Sequence, residues 1–254
     1  MPHILTTTKN RITRIELDRA DKKNAITADM YQAMADALKA AEADPQVRVV
    51  VIHGKPDCFT AGNDLKDFLE RPPAGDNSPV FQFLQLISTA AKPLVAAVGG
   101  PAVGIGTTML LHCDFVYASP NARFQMPFVK LGLVPEAASS LLLPMLAGYH
   151  QAAELLLLGK PFTAEKALSA GIVTEIVSGG DLLEHALEAA AGLAALPPSS
   201  VRMTKALMKT RYGSAVREAM AAEGEKFRAQ LGSAEAKEAM QAFFEKRKPD
   251  FSRF

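Results

Sequence analysis

Three stretches of this 254-residue chain carry residue types that can do chemistry. The segment Leu133-Val134-Pro135-Glu136-Ala137-Ala138-Ser139-Ser140 sets one carboxyl among apolar neighbours, just inside an expected helix start. A glutamate in a first helical turn can do no more than complement the helix dipole. A carboxyl walled in by apolar groups instead gains a raised pKa and can act as a general base. The other two stretches are loops, each following a buried apolar run: Phe59-Thr60-Ala61-Gly62-Asn63-Asp64-Leu65 and Gly99-Gly100-Pro101-Ala102-Val103-Gly104-Ile105-Gly106. Their glycines allow close approach of backbone to a ligand. A helix starting near Ile105 would offer first-turn amides without carbonyl partners, which suit a negative oxygen. Taken singly, the first loop reads as ordinary turn and cap chemistry, with Asn63 or Asp64 capping the next helix, and the second as a tight turn whose glycines permit helix–sheet packing.

Other chemistries lack their residues. The five histidines (His3, His53, His112, His150, His185) include no pair one helical turn apart, and no HExxH is present. Cys58 and Cys113 form neither a disulfide framework nor a zinc-spaced pair, so no metal is expected and a reducing compartment is the simpler setting. A serine triad would lack its Gly-x-Ser-x-Gly elbow. The glycine loop is neither a phosphate loop nor a full dinucleotide fingerprint, because Met109 stands where the third glycine would fall.

Positioning such groups requires a framework of strands and helices. Strands are expected at 12–17, 47–52, 94–98, 114–118 and 172–177, the second as a β-branched run buried on both faces. Thr27 can cap a helix that repeats Tyr31, Met34, Leu38 and Ala41 at helical spacing. Further helices are expected at 64–70, 105–112, 137–146, 150–158 and 163–170, the last closed by Gly171. Residues 93–113 carry no formal charge over 21 positions, the length of a membrane helix. Gly99, Gly100, Pro101, Gly104 and Gly106 interrupt them and point instead to a buried strand, a glycine turn and a buried helix. Leu196-Pro197-Pro198-Ser199-Ser200 stops one helix and starts another, and 201–248 reads as helical with little core of its own. That tail must pack on the main domain or on another subunit.

Composition sets the bounds. Hydrophobic residues make up 48% and charged residues 22%, which excludes a disordered or fibrous chain. A net charge of +1 lacks the footprint of a nucleic-acid binder. Residues 198–254 nevertheless hold 12 Lys/Arg against 7 Asp/Glu, while the preceding residues hold 16 against 20, so a basic tail could meet an anionic small molecule. No signal peptide is expected in the first ten residues, and Ser252-Arg253-Phe254 is not a peroxisomal Ser-Lys-Leu ending; a cytoplasmic setting is expected.

Taken in order, these segments resemble the crotonase (enoyl-CoA hydratase/isomerase) superfamily. The resemblance runs from Lys22-Lys23-Asn24-Ala25-Ile26 through the two loops and Cys113-Asp114 to Phe243-Phe244-Glu245-Lys246-Arg247-Lys248-Pro249-Asp250-Phe251. It implies an α/β fold: a crotonase-like spiral of strand-strand-helix turns over 1–196, with a helical C-terminal trimerisation region over 197–254, assembled as a homotrimer or hexamer. It implies an acyl-CoA thioester substrate, with coenzyme A as part of the substrate and no separate cofactor, and neither nucleic acid nor membrane as partner. By motif position the two amides of an oxyanion hole fall on Ala61 and Ile105, and CoA contacts on Lys22, Ala25, Ala61, Gly62, Asn63, Asp64, Leu65, Phe243 and Lys246.

The two glutamates of a typical hydratase are matched here by Thr108 and Phe128, neither an acid nor a base near neutral pH. The segment around Glu136 is similar instead to that of the peroxisomal-type Δ3,Δ2-enoyl-CoA isomerases, whose single catalytic glutamate corresponds to Glu136. The resemblance therefore implies isomerisation of a 3-enoyl-CoA with Glu136 as acid/base. Another crotonase-type activity (hydratase, lyase or hydrolase) and a non-catalytic acyl-CoA-binding scaffold stay open at this point.

Overall fold

The computed structural model describes residues 3–73, 75, 77–177 and 181–254. Its main sheet has the order β1-β2-β3-β4-β6-β9, formed by β1 (Ile4–Lys9), β2 (Ile12–Leu17), β3 (Val49–His53), β4 (Leu94–Val98), β6 (Phe115–Ala118) and β9 (Glu175–Ile176). Only the β1–β2 hairpin is antiparallel; the other pairs are parallel. A second, smaller sheet joins β5 (Pro101–Val103), β7 (Arg123–Gln125) and β8 (Phe162–Thr163) in that order. The chain thus steps from a strand of the large sheet to a strand of the small one at each turn of a spiral, β4 to β5 and β6 to β7.

The β-branched run makes β3 because both faces are buried. Val50 and Ile52 enter the core with helix α1 (Ala28–Ala43), while Val49 and Val51 meet a second apolar cluster with Ala186, Ala190 and Ala194. Those alanines belong to α8 (Leu182–Ala195), the helix that the stop at Leu196 closes and to which the sequence gives no expected start. Absent from the sequence reading is α3 (Pro79–Thr89), which begins at an N-cap Ser78 followed by proline. Thr27 caps α1 by accepting from the Met30 amide, and the anticipated apolar face is buried.

The remaining expected elements shift or shorten. The helix at 64–70 is α2 (Leu65–Glu70), with Asp64 as its N-cap. The one at 105–112 is a single α turn, α4 (Ile105–Thr108), continued as a 3-10 turn to His112. That at 137–146 is α5 (Ser139–Ala147), starting two residues late because Ala137 and Ala138 are left-handed, with φ of 59° and 55°. Helices α6 (Tyr149–Leu157) and α7 (Ala164–Ser169) follow, and the strand at 172–177 contracts to β9.

The tail forms α9 (Pro198–Thr210), α10 (Gly213–Leu231) and α11 (Ala234–Phe244). It packs on the rest of the chain, burying Phe227, Ala236 and Met240 in the main core. It also leaves Met203, Leu207 and Met208 exposed on α9. A buried ion pair pins α9 to the sheet. The Lys205 Nζ donates to Asp114 Oδ2 at 2.6 Å and to the Lys92 carbonyl at 2.7 Å, and the same Asp114 oxygen accepts the Leu94 amide at 2.7 Å. Removing one partner of such a pair strands the other in a low-dielectric setting. Lys205→Ala is expected to cost about 3 kcal/mol or more in urea unfolding, whereas a surface pair would cost less than about 1 kcal/mol.

Candidate active site

The two glycine loops are held against each other by backbone pairing. Thr60 donates its amide to the Pro101 carbonyl (2.9 Å) and accepts from the Val103 amide (3.0 Å). Glycine is needed at this crossing. Gly62 has φ of 88°, and a Cβ there would stand 2.7 Å from the Val103 carbonyl oxygen; a Cβ on Gly106 would meet the Thr60 methyl at 2.5 Å. The segment before α1 forms the third side. Asn24, fully buried, donates to the carbonyls of Cys58 (3.1 Å) and Phe59 (3.0 Å), and its own carbonyl accepts from the Thr60 hydroxyl at 2.6 Å.

This clamp decides which amides are available, and it corrects the sequence expectation at Ala61. The Ala61 N–H donates to the Lys23 carbonyl at 2.9 Å and is committed to the fold. In the same loop Gly62 donates to the Thr60 hydroxyl (3.1 Å) and Asp64 to the Ile26 carbonyl (2.9 Å). Asn63 bridges Ile26 in parallel fashion, so its neighbours make the hydrogen bonds and its own N–H faces the other way. Among the described residues the Asn63 amide and the Ile105 amide have no acceptor in the protein. Ile105 heads α4, where a free N–H is inherent to the helix start. The phenol of Tyr31, buried on α1, donates to Asn63 Oδ1 at 2.5 Å and fixes that side chain.

Glu136 lies just before α5 rather than within its first turn, so the dipole-partner reading does not apply to it. Its carboxyl reaches a cavity of about 30 Å³ bordered by Tyr31, Asn63, Phe68, Phe81, Leu84 and Phe227 among others. The residue keeps some surface toward this cavity, yet the carboxyl is enclosed by protein on the remaining sides. Burial pushes its pKa up to about 8; the Thr108 hydroxyl, which donates to Oε1, pulls the other way, and the Glu223 carboxylate adds to the rise. His112 is also buried and is held to a pKa of about 4 by desolvation, so it is neutral and its Nε2–H donates to the Ala137 carbonyl at 2.8 Å.

Of the other expected site residues, Asp64 caps α2 and pairs with Arg19 at 2.7 Å, which with its cap amides holds its carboxyl below the ordinary value against the opposing effect of burial. Ala25 accepts from the same guanidinium, Lys22 is exposed, and Leu65 opens α2. Phe243 and Lys246 are exposed at the end of α11 and are not among the residues bordering the Glu136 cavity. Glu223 and Tyr31, which do border it, were not singled out from sequence for this site. No cluster of three or more His, Cys, Asp or Glu suited to a metal occurs among the described residues, and no helix among them is long and apolar enough to cross a membrane.

With this geometry in place, comparison with known proteins is informative. Residues 7–253 match the family described as enoyl-CoA hydratase/isomerase. The chain is 37% identical over 215 residues to enoyl-CoA delta isomerase 2 of Homo sapiens, covering 82% of this chain but 54% of that protein; it spans about half the length of this relative. It is 31% identical to 2,3-dehydroadipyl-CoA hydratase of Escherichia coli (strain K12), covering 99% of both. A solved enoyl-CoA hydratase/isomerase from Pseudoalteromonas atlantica T6c superposes with a TM-score of 0.94 at 45% identity, covering 98% of this chain and 100% of that one.

A carboxyl with its pKa raised from 4.5 to about 8 by folding binds its proton more tightly in the native state than in the unfolded chain. The native state is therefore favoured at low pH, and this contribution is lost as pH rises through that window. Glu136→Gln removes the effect, so the melting temperature of the variant is expected to rise relative to wild type between about pH 5 and 9. A pH-independent difference in thermal scans would contradict the raised pKa.

Proposed function

The chain belongs to the enoyl-CoA hydratase/isomerase family, and from that premise we propose that it shifts the double bond of a 3-enoyl-CoA to the 2-trans position with Glu136 as its one acid–base group. The observation that carries this reading is the Glu136 carboxyl, near-neutral in pKa, in a cavity walled mainly by apolar side chains, with Tyr31, Asn63 and Glu223 as its other polar groups. Ionised Glu136 takes a proton from C2, the electrons flow into a dienolate, and the charge gathers on the thioester oxygen. The same carboxyl, now neutral, delivers the proton to C4. A base whose pKa lies near the working pH serves both halves of such a transfer. Thr108 orients it by hydrogen bonding.

The unpartnered amides of Asn63 and Ile105 are the donors to that oxygen in this reading. Each well-aimed donor in a water-poor site contributes about 3–4 kcal/mol to the transition state. CoA would lie along Lys22, Ala25 and residues 61–65, while Phe243 and Lys246 would reach its nucleotide from a neighbouring subunit of a trimer or hexamer.

Hydration is the second reading, because Glu223 gives the cavity another carboxylate. Both Glu223 oxygens, however, accept from donors of the α5 start, Oε1 from the Ser140 amide and hydroxyl and Oε2 from the Ala138 amide, which ties this carboxyl to the turn. Thr108 and Phe128 supply no base either.

Two substitutions test the assignment. Glu136→Gln is expected to lower isomerase kcat by about 10²–10⁴-fold, read as conjugated 2-enoyl-CoA formed from a 3-enoyl-CoA. Ile105→Pro removes one N–H at a helix position where proline is tolerated. It should cost about 10²–10³-fold in kcat while Ile105→Val costs little. Full activity in Glu136→Gln would end the proposal.

A further inference from the structure

The loop that carries Glu136 is conformationally expensive. Ala137 and Ala138 are consecutive non-glycine residues in the left-handed region, each unfavourable in isolation. The residue at the N-cap of α5 is Ala138, which has no side chain able to cap. The missing acceptor arrives from another part of the chain. Glu223, on α10 and almost fully buried, accepts the Ala138 amide on Oε2 at 2.7 Å and the Ser140 amide on Oε1 at 2.8 Å, and it also accepts the Ser140 hydroxyl. Its partners are neutral donors, and no ion pair to Glu223 is present among the described residues. A buried carboxylate without a counter-charge is costly where a serine or aspartate in the loop itself would cap as well.

That cost is explained if the negative charge has a second use. Resting on the isomerase reading above, the geometry points to Glu223 as a positioning residue: it locks the left-handed turn that aims the Glu136 carboxyl into the cavity and sets a second carboxyl beside it. The groups that face Glu136 are the Thr108 hydroxyl from α4, the Tyr31 phenol from α1 and the Glu223 carboxylate from α10, with the neutral His112 imidazole holding Ala137 from behind. Glu223 is the one other carboxyl among them; burial raises its own pKa, and its bonds from Ser140 and Ala138 favour the ionised form. It disfavours the ionised form of Glu136 and thereby helps keep its proton affinity near neutrality. Because α10 belongs to the helical tail, the tail completes the acid–base site of its own chain.

The test compares full-length wild type with Glu223→Gln and Ser140→Ala. The pKa of Glu136 is read by NMR of carboxyl-¹³C glutamate, its resonance identified as the one lost in Glu136→Gln, and steady-state isomerisation is read in parallel. Glu223→Gln is expected to lower the Glu136 pKa by about half a unit or more. It should reduce kcat by roughly tenfold to a hundredfold with KM changed less than about threefold, as expected for a misaimed base rather than lost binding. Ser140→Ala keeps the charge, so the pKa should hold while kcat falls a few-fold. A folded Glu223→Gln protein with the wild-type Glu136 pKa and kcat overturns the proposal. Should that variant not fold, Ser140→Ala decides, and an unchanged kcat overturns it. If wild type turns over no 3-enoyl-CoA, the isomerase reading fails; the NMR shift on removing Glu223 then still upholds the positioning role, and its absence rejects it.

Discussion

The cost of enclosing one carboxyl organises the catalytic end of this molecule. Glu136 sits against Phe68, Phe81 and Phe227 with one hydroxyl as its hydrogen-bond donor, and desolvation raises its pKa to about 8. A carboxyl in such surroundings is a poor contributor to stability and a good proton carrier. The fold tolerates it because the turn beneath is fixed from two directions, by neutral His112 from the glycine-loop helix and by Glu223 from the tail.

The opposite condition holds a short distance along the chain. Around the two glycine loops the amides of Thr60, Ala61, Gly62, Asp64, Val103 and Gly104 are spent on neighbours, while those of Asn63 and Ile105 are not. Asn63 is left over because its neighbours Gly62 and Asp64 pair with Ile26, and Ile105 because it heads α4; Thr60 holds the two loops together through Pro101 and Val103. Rigid pairing leaves these donors little freedom to move, so their cost of ordering is met in folding rather than in the reaction. The spiral turns, one strand per sheet, are what bring loops from residues 59–65 and 99–106 to the same point.

Much of this was legible in the sequence. The β-branched run of β3, the Thr27 cap, the glycine loops and the isolated glutamate after Pro135 are local patterns with local causes. That the Ala61 amide is bonded within the fold is not legible locally, because its acceptor is Lys23, 38 residues away, and no side chain near Ala61 signals that bond. The start of α5 was placed two residues early because alanine favours helix by propensity, while here tertiary contacts force it left-handed. Glu223 looked like one of several glutamates on an alanine-rich helix; its partners are 83 and 85 residues distant. Of helix α8 only the stop at Leu196 is legible, since a helix rich in small residues announces its packing face weakly.

The account turns on a single carboxyl carrying one proton from C2 to C4, and following that hydrogen is the most direct check. A 3-enoyl-CoA bearing deuterium at both C2 positions would be converted by the full-length protein and the product read by NMR. Transfer by Glu136 in a water-poor cavity predicts a conjugated 2-enoyl-CoA with an appreciable share of deuterium at C4. A product whose C4 carries solvent hydrogen alone, or one bearing a 3-hydroxyl group, would contradict the account.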